Sequence, residues 1–419
     1  MVKIQPFQPY VFNEKKIPDL SKVIAPPYDI ITSEERQIIS ERSKYNFINL
    51  TLPEIYNPNK GMSEFYKKAS TLWKSWKKND IVIQSDSPRV YCLKETYEIG
   101  NGNYKTRCGF LVELFLSKES DSYILRHEKT HKAPKMDRVK LYQSTKANLS
   151  PIFFIYQDDA NETGNFLNHF NQSDKIEAEL FHRGKVSLEL SSTNDHLFIE
   201  SFCKSFNNKH LLIADGHHRY EASRILNLEN EDESLNSSAI LAYVVPTSSK
   251  GLSLDATHRG LENYSNFDEE NFINSLKKNF NLNTSLSDKN VSNIQIYTKT
   301  NGLISIYPKR KTIEHLKRKL SQTELAQVPV VILQEIIFKE ILGFTDDAIN
   351  KKKHIKYFQN SDDGLKQVSS GKLNVAFFLK PIKLDELFKV TLAGGVFPQK
   401  STYFYPKVAT GLVIRTMES

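Results

Sequence analysis

The stretch Leu211-Leu212-Ile213-Ala214-Asp215-Gly216-His217-His218-Arg219-Tyr220-Glu221-Ala222-Ser223-Arg224-Ile225-Leu226 opens as an apolar run of strand length and breaks at Asp215-Gly216. It continues with small or apolar residues at Ala222, Ile225 and Leu226, the spacing of a helix face. This pattern predicts strand, tight turn, helix. Asp215 then stands where a side-chain oxygen caps the helix, Gly216 lets backbone approach a ligand, and the first-turn amides point outward. Such amides hold anions. His217, His218 and Arg219 add donors to the same turn, and an arginine grips phosphate through two parallel bonds. The turn reads as a phosphate-handling loop; the plain alternative is a strand-helix turn with two solvated histidines and a surface ion pair.

Working outward, the chain has 419 residues, enough for two or three domains. A hydrophobic content of 39% with 25% charged residues is that of a water-soluble globular protein. No run of about 18 apolar residues is present and the first residues lack a signal-peptide core, so a cytoplasmic protein with no membrane partner is expected. Cys92, Cys108 and Cys203 are far apart and form no CxxC pair, which argues against a disulfide framework or a zinc-cysteine site. The net charge of +8 suits anionic partners, but the lysines are scattered. Lys309-Arg310-Lys311 and Lys351-Lys352-Lys353 read as solvated surface, so nothing demands a nucleic acid.

Near the start, Pro26-Pro27 hold the backbone extended and present Tyr28 and Asp29 from a stiff loop, facing substrate or packed as a rigid turn. A helix is expected from Thr32 or Ser33 to Arg42, a strand at Asn46–Leu52, an amphipathic helix over 61–79, and a hairpin from strands 89–97 and 106–114 around Gly100-Asn101-Gly102-Asn103. Leu149–Tyr156 and Ala239–Pro246 are expected as buried strands, with helices at 163–171 and 193–207. Alternation of this kind indicates α/β or α+β packing.

A second polar cluster spans Arg126-His127-Glu128-Lys129-Thr130-His131-Lys132-Ala133-Pro134-Lys135-Met136-Asp137-Arg138. A carboxylate among cations can act as a base or hold Mg²⁺ while the cations neutralise phosphate; a solvated charged segment is the alternative. The cluster contains H-E-x-x-H, but its flanks are polar and Pro134 follows closely, which disfavours a zinc-binding helix. After Leu254–Arg259 the character changes, and residues 261–419 are expected as a second α/β module behind a catalytic region at 1–260. His258-Arg259 is an anion contact or a strand end. In the tail, Gly394-Gly395 and Lys400-Ser401-Thr402 with Lys407 could clamp an anion or a small polar substrate, or form a strand pair with aromatic packing. No GxxxxGK[ST] and no GxGxxG occurs.

Taken together, Ala25-Pro26-Pro27-Tyr28-Asp29, His127–His131, Lys135-Met136-Asp137-Arg138, Asn148-Leu149-Ser150-Pro151, Asp215–Ala222 and Pro398–Lys407 resemble a large family long filed as a domain of unknown function, some members of which are pyrophosphate-dependent L-serine kinases. The Asp-Gly-His-His-Arg turn also looks like the phosphate-binding turn of nucleotide-dependent free-serine kinases and of ParB and sulfiredoxin proteins. The resemblance implies an α/β (α+β) fold with a mixed-sheet, ParB/sulfiredoxin-like catalytic core and a C-terminal α/β module whose tail returns to the active site. It also implies transfer of phosphate from pyrophosphate to free L-serine, giving O-phosphoserine.

The residue chemistry agrees with that activity. Gly216, His217, His218 and Arg219 are expected to hold phosphate, assisted by His127, Lys129, Arg138 and Lys400. Asp29, Glu128 and Asp215 are the candidate bases or Mg²⁺ ligands, and Tyr28, His131, Ser401, Thr402 and Lys407 the candidate substrate contacts. The competing readings are an ATP- or ADP-dependent serine kinase and a ParB-like nucleic-acid-binding module.

Overall fold

A mixed sheet carries the strand-turn-helix. In the computed structural model, residues 1–52, 62–117, 119–128, 130, 132–158, 162–173, 175–182, 184–229, 235–265, 267–284 and 293–418 are described. Two compact units divide the chain: Met1–Arg126, Thr130–Ser253 and Pro406–Ser419 form the first, His127–Lys129 and Leu254–Tyr405 the second.

The first unit contains β1 (Ile4–Gln5), β2 (Val90–Gly100), β3 (Asn103–Phe115), β4 (Ile124–Leu125), β5 (Ile152–Tyr156), β6 (Lys175–Phe181), β7 (Lys185–Thr193), β8 (Leu211–Asp215) and β9 (Ala239–Pro246). Their order is β4-β8-β5-β9-β3-β2-β7-β6, with β1 paired to the end of β3. The β4-β8 and β9-β5 pairs are parallel and the other pairs antiparallel, so the sheet is mixed as expected. All eight residues of β9 and all five of β5 are buried. Both strands are apolar throughout because both faces of the sheet centre are covered.

The helices of this unit include α1 (Ser33–Glu41), α2 (Met62–Lys78), α3 (Lys132–Thr145), α4 (His196–Lys204) and α5 (His217–Glu229). α1 is capped at Thr32, one of the two expected start positions, through a capping box: the Glu35 amide donates to Thr32 Oγ1, and the Thr32 amide donates to the Glu35 carboxylate. α3 and α5 meet through Val139 and Tyr142 against Ala222 and Leu226. Pro134 falls in the first turn of α3, where its missing amide hydrogen leaves no helix bond unmade.

Two expectations need correction. The apolar run Asn46–Leu52 is not a strand: Ile48–Thr51 is a helical turn, started by Asn46 Oδ1, which accepts from the Ile48 amide at 3.0 Å. The same Asn46 side chain donates to the Lys22 and Ile24 carbonyls, so a side chain bonding to main chain overrode the apolar pattern. Strands β6 and β7 were not anticipated. Their outward-facing Lys, Glu and Ser alternate with Ala178, Leu180, Val186, Leu188 and Leu190, the period of a sheet with one covered face.

The second unit holds an antiparallel sheet of β10 (His258–Leu261), β11 (Phe280–Asn283), β12 (Ile294–Thr298), β13 (Gly302–Pro308), β14 (Ile355–Phe358) and β15 (Val375–Leu379), in the order β11-β13-β12-β15-β10-β14. Among the described residues, no helix is long and apolar enough to cross a membrane.

Candidate functional site

The register between β8 and β5 decides where the key carboxylate points. Ile213 pairs with Phe154, and both belong to one core cluster. The register then shifts, so that Asp215 pairs with Phe153. Neighbouring residues of a strand face opposite ways, so this irregularity moves Asp215 to the face opposite that core.

Asp215 is gripped from two sides. Arg219 Nη2 lies 2.5 Å from its Oδ2, and Lys407 Nζ pairs with its Oδ1. The Arg219 guanidinium folds back over the turn and also donates to the Pro151 carbonyl. Gly216 has φ +93°, a backbone that favours glycine, and a Cβ there would also crowd Arg219 Cζ at 3.0 Å. The glycine makes room for an arginine. Arg219 is 4% exposed, so it braces the turn instead of reaching outward as the sequence suggested.

The other walls are assembled by the same kind of contact. Arg138 on α3 lies under Tyr28, its Cζ 3.8 Å from the ring centroid, and pairs with Asp137. Asp137 in turn accepts from Tyr66 Oη at 2.8 Å. Burial pushes the Tyr28 phenol well above its ordinary value, with the Arg138 guanidinium pulling the other way, so Tyr28 stays protonated. Asp29 is exposed, and its charge acts on both Tyr28 and Arg219. The Pro-Pro-Tyr loop is tied to the C-terminal segment: the Ala25 and Thr410 amides each donate to the other's carbonyl, at 3.1 and 2.7 Å. That segment is locked further on, where Arg415, 2% exposed, pairs with Glu113. Asp215, Gly216, Arg219 and Lys407 thus form one set of contacts in the first unit, Tyr28, Arg138 and Asp137 form another, and the charges of Asp29 and Arg219 act across the two. His217, 7% exposed, and His218 begin α5 beside them.

In the second unit, His127 is fully buried, its Nε2 2.8 Å from Thr402 Oγ1, and its carbonyl accepts from the Phe397 amide at 2.9 Å. Glu128 forms a β-bridge with Phe397. His127 and Glu128 are therefore extended, not helical, and α3 begins only at Lys132. The H-E-x-x-H helix does not form. Lys400, at φ +57°, leads into Ser401, whose hydroxyl donates to the Pro398 carbonyl. Lys129 and His131 lie outside the described residues.

Sequence reasoning overlooked one carboxylate and two buried pairs. Asp137 was quoted within a motif but given no role, although carboxylates beside arginines are the usual partners. Arg415 and Glu113, distant in sequence, gave no signal. Nor did Arg107 and Glu95, fully buried and joined at 2.6 Å, with Tyr243 Oη donating to the same carboxylate oxygen. Among the described residues, no group of three or more His, Cys, Asp or Glu side chains gathers as a metal cage.

The family model described as "Protein of unknown function (DUF1015)" matches residues 4–330. No curated protein sequence matches the chain. Among solved structures, a free serine kinase in complex with AMP is similar at 10% identity and TM-score 0.39, covering 74% of this chain and 91% of that one. A conserved hypothetical protein from Pyrococcus furiosus is 12% identical with TM-score 0.36, covering 74% and 95%. SbnI with a C-terminal truncation, from Staphylococcus aureus, is 10% identical with TM-score 0.38, covering 71% and 85%.

Proposed function

The chain belongs to the DUF1015 family, and we propose that this member is a small-molecule kinase on a ParB/sulfiredoxin-like core, transferring phosphate from pyrophosphate to the hydroxyl of free L-serine to give O-phosphoserine. The observation that carries the reading is the convergence in the first unit. Pro151, the Asp215 turn and Lys407 meet through specific polar contacts, and the Ala25 loop is tied to the same C-terminal segment at Thr410. A scaffold does not need a buried arginine, a lysine and an aspartate at the opening of a helix.

The parts have separate roles in this reading. The first-turn amides of α5, with His217 and His218, receive phosphate oxygens. Arg219 and Lys407 hold the turn and supply positive charge where the transferred group gathers negative charge. Asp215 is committed to those two cations. Asp29 is exposed and is the carboxylate of this network best placed to receive the serine hydroxyl proton. Tyr28, fixed by its stack on Arg138, lines the acceptor side. Mg²⁺ is taken up with polyphosphates through one or two carboxylates, and exposed Asp29 fits that need; the ion would neutralise the donor's charge.

The test is a donor screen: full-length protein, L-serine and Mg²⁺ with pyrophosphate, ATP or ADP in turn, scored for O-phosphoserine. Product with pyrophosphate alone supports the reading. Product with a nucleotide alone would replace the donor, and no product with any donor would remove the activity.

A further inference from the structure

The second unit has a cavity of its own, of about 610 Å³, at the end of its sheet where β12 begins and β13 and β15 finish. Ile294, the first residue of β12, pairs with Ile306 on one side and Leu379 on the other. The Lys380 amide carries the β15 pairing one step further, donating to the Asn293 carbonyl at 3.0 Å. The floor is apolar: Ile294, Ile306 and Ile332 line the cavity and are all buried, and Tyr307 is half-buried beside them. One wall is α6 (Arg310–Lys319), which contributes Arg310, Ile313, Glu314 and Lys317. That spacing is one face of a helix, and it runs about 10 Å along the axis.

Charge along the lining is uneven. Arg310, Lys317 and Lys380 stand against one carboxylate, Glu314, and Lys317 already pairs with it at 3.1 Å. Arg310 is exposed and makes no ion pair among the described residues. It follows the end of β13 by two residues, and Lys380 follows the end of β15 by one, so both cations belong to the sheet end of the cavity. Lys317 stands two helical turns away. An open apolar floor is stabilised when it is covered, and cations are stabilised by an anion. The volume falls within the range of about 300–1,000 Å³ typical of small-molecule sites. Two cations at one end match a phosphate monoester, which carries a charge of about −1.5 to −2 at neutral pH, better than they match a carboxylate.

We infer that this cavity binds a small phosphate monoester with an apolar, ring-sized body. The phosphate lies at Arg310 and Lys380, and the body covers Ile294, Ile306 and Ile332 beside Ile313. The described lining residues all belong to the second unit, so this site is independent of the kinase reading.

The experiment is a titration of the ¹⁵N-labelled full chain with phenyl phosphate, following the amide resonances of Ile294, Ile313 and Lys380. Saturable shifts of all three are expected. Benzoate keeps the ring with less charge, inorganic phosphate keeps the charge without the ring, and benzyl alcohol keeps the ring without charge; each should bind more weakly than phenyl phosphate. Arg310→Gln and Lys380→Gln, both at exposed positions, should each weaken phenyl phosphate by about tenfold in folded protein. Resonances that do not move would overturn the site. Inorganic phosphate binding as tightly as phenyl phosphate would reduce it to a charged surface, and benzyl alcohol binding as tightly would reduce it to an apolar groove. Benzoate binding as tightly would remove the phosphate, and unchanged affinity in both variants would remove the cations; each of these results contradicts the assignment.

Discussion

Arg219 and Lys407 hold opposite oxygens of the Asp215 carboxylate, Arg219 from four residues along the chain and Lys407 from the C-terminal segment. The carboxylate thus joins the opening of α5 to a segment almost two hundred residues away. Asp215→Asn keeps the shape and removes the charge that balances two cations. Phosphate transfer should fall by about a hundredfold or more, because donors preorganised at a reacting group are worth that much. Steady-state rates alongside a thermal melt check this; near-normal turnover in the folded variant would take Asp215 out of the chemistry.

The C-terminal segment is held within the first unit by a buried charge pair. Arg415→Met leaves the Glu113 carboxylate without its cation, with Gln5 Nε2 still donating to it, and should cost about 3 kcal/mol, the lower end for breaking a buried pair. Urea denaturation measures this. Arg415→Met with Glu113→Gln should recover a large part of the loss, and a double variant no more stable than the single would deny the pairing.

Tyr28 acts through its ring. Tyr28→Phe preserves the stack on Arg138 and should leave stability nearly unchanged, whereas Tyr28→Leu should cost about 0.5–2 kcal/mol for the lost cation–π contact. Equal stability of the two variants would show that the stack contributes nothing.

His258 provides a pH signature in the second unit. Its Nδ1 accepts from the Leu379 amide, and burial, followed by the Arg259 charge, brings its pKa from 6.5 down to about 4. Between those values the unfolded chain binds the proton and the folded chain does not, so stability rises with pH. The contribution is present above about pH 6.5 and is lost as pH falls towards 4. Urea midpoints from pH 7 to 4 should fall more steeply for the native chain than for His258→Gln. Parallel curves would contradict the assignment.

Much of this was legible in the sequence, in uneven measure. The strand-turn-helix at 211–229, the capping box at Thr32 and the hairpin turn at Asn101-Gly102 rest on local rules, and each formed where those rules place it. Asn46–Leu52 failed because one buried asparagine outweighed an apolar run. The site motifs could be picked out by their crowding of polar groups, but their wiring could not. Nothing in the sequence says that Arg219 turns inward to Asp215 and Pro151, or that a register shift at Ala214 re-aims the carboxylate. Those depend on contacts between residues far apart in the chain.

The most direct measurement is ³¹P NMR of the full-length protein with L-serine, Mg²⁺ and pyrophosphate. A phosphomonoester resonance matching O-phosphoserine should grow with orthophosphate, and Asp215→Asn should suppress it at unchanged fold. Spectra in which no phosphoserine forms from pyrophosphate, with ATP and ADP equally silent, would contradict the account.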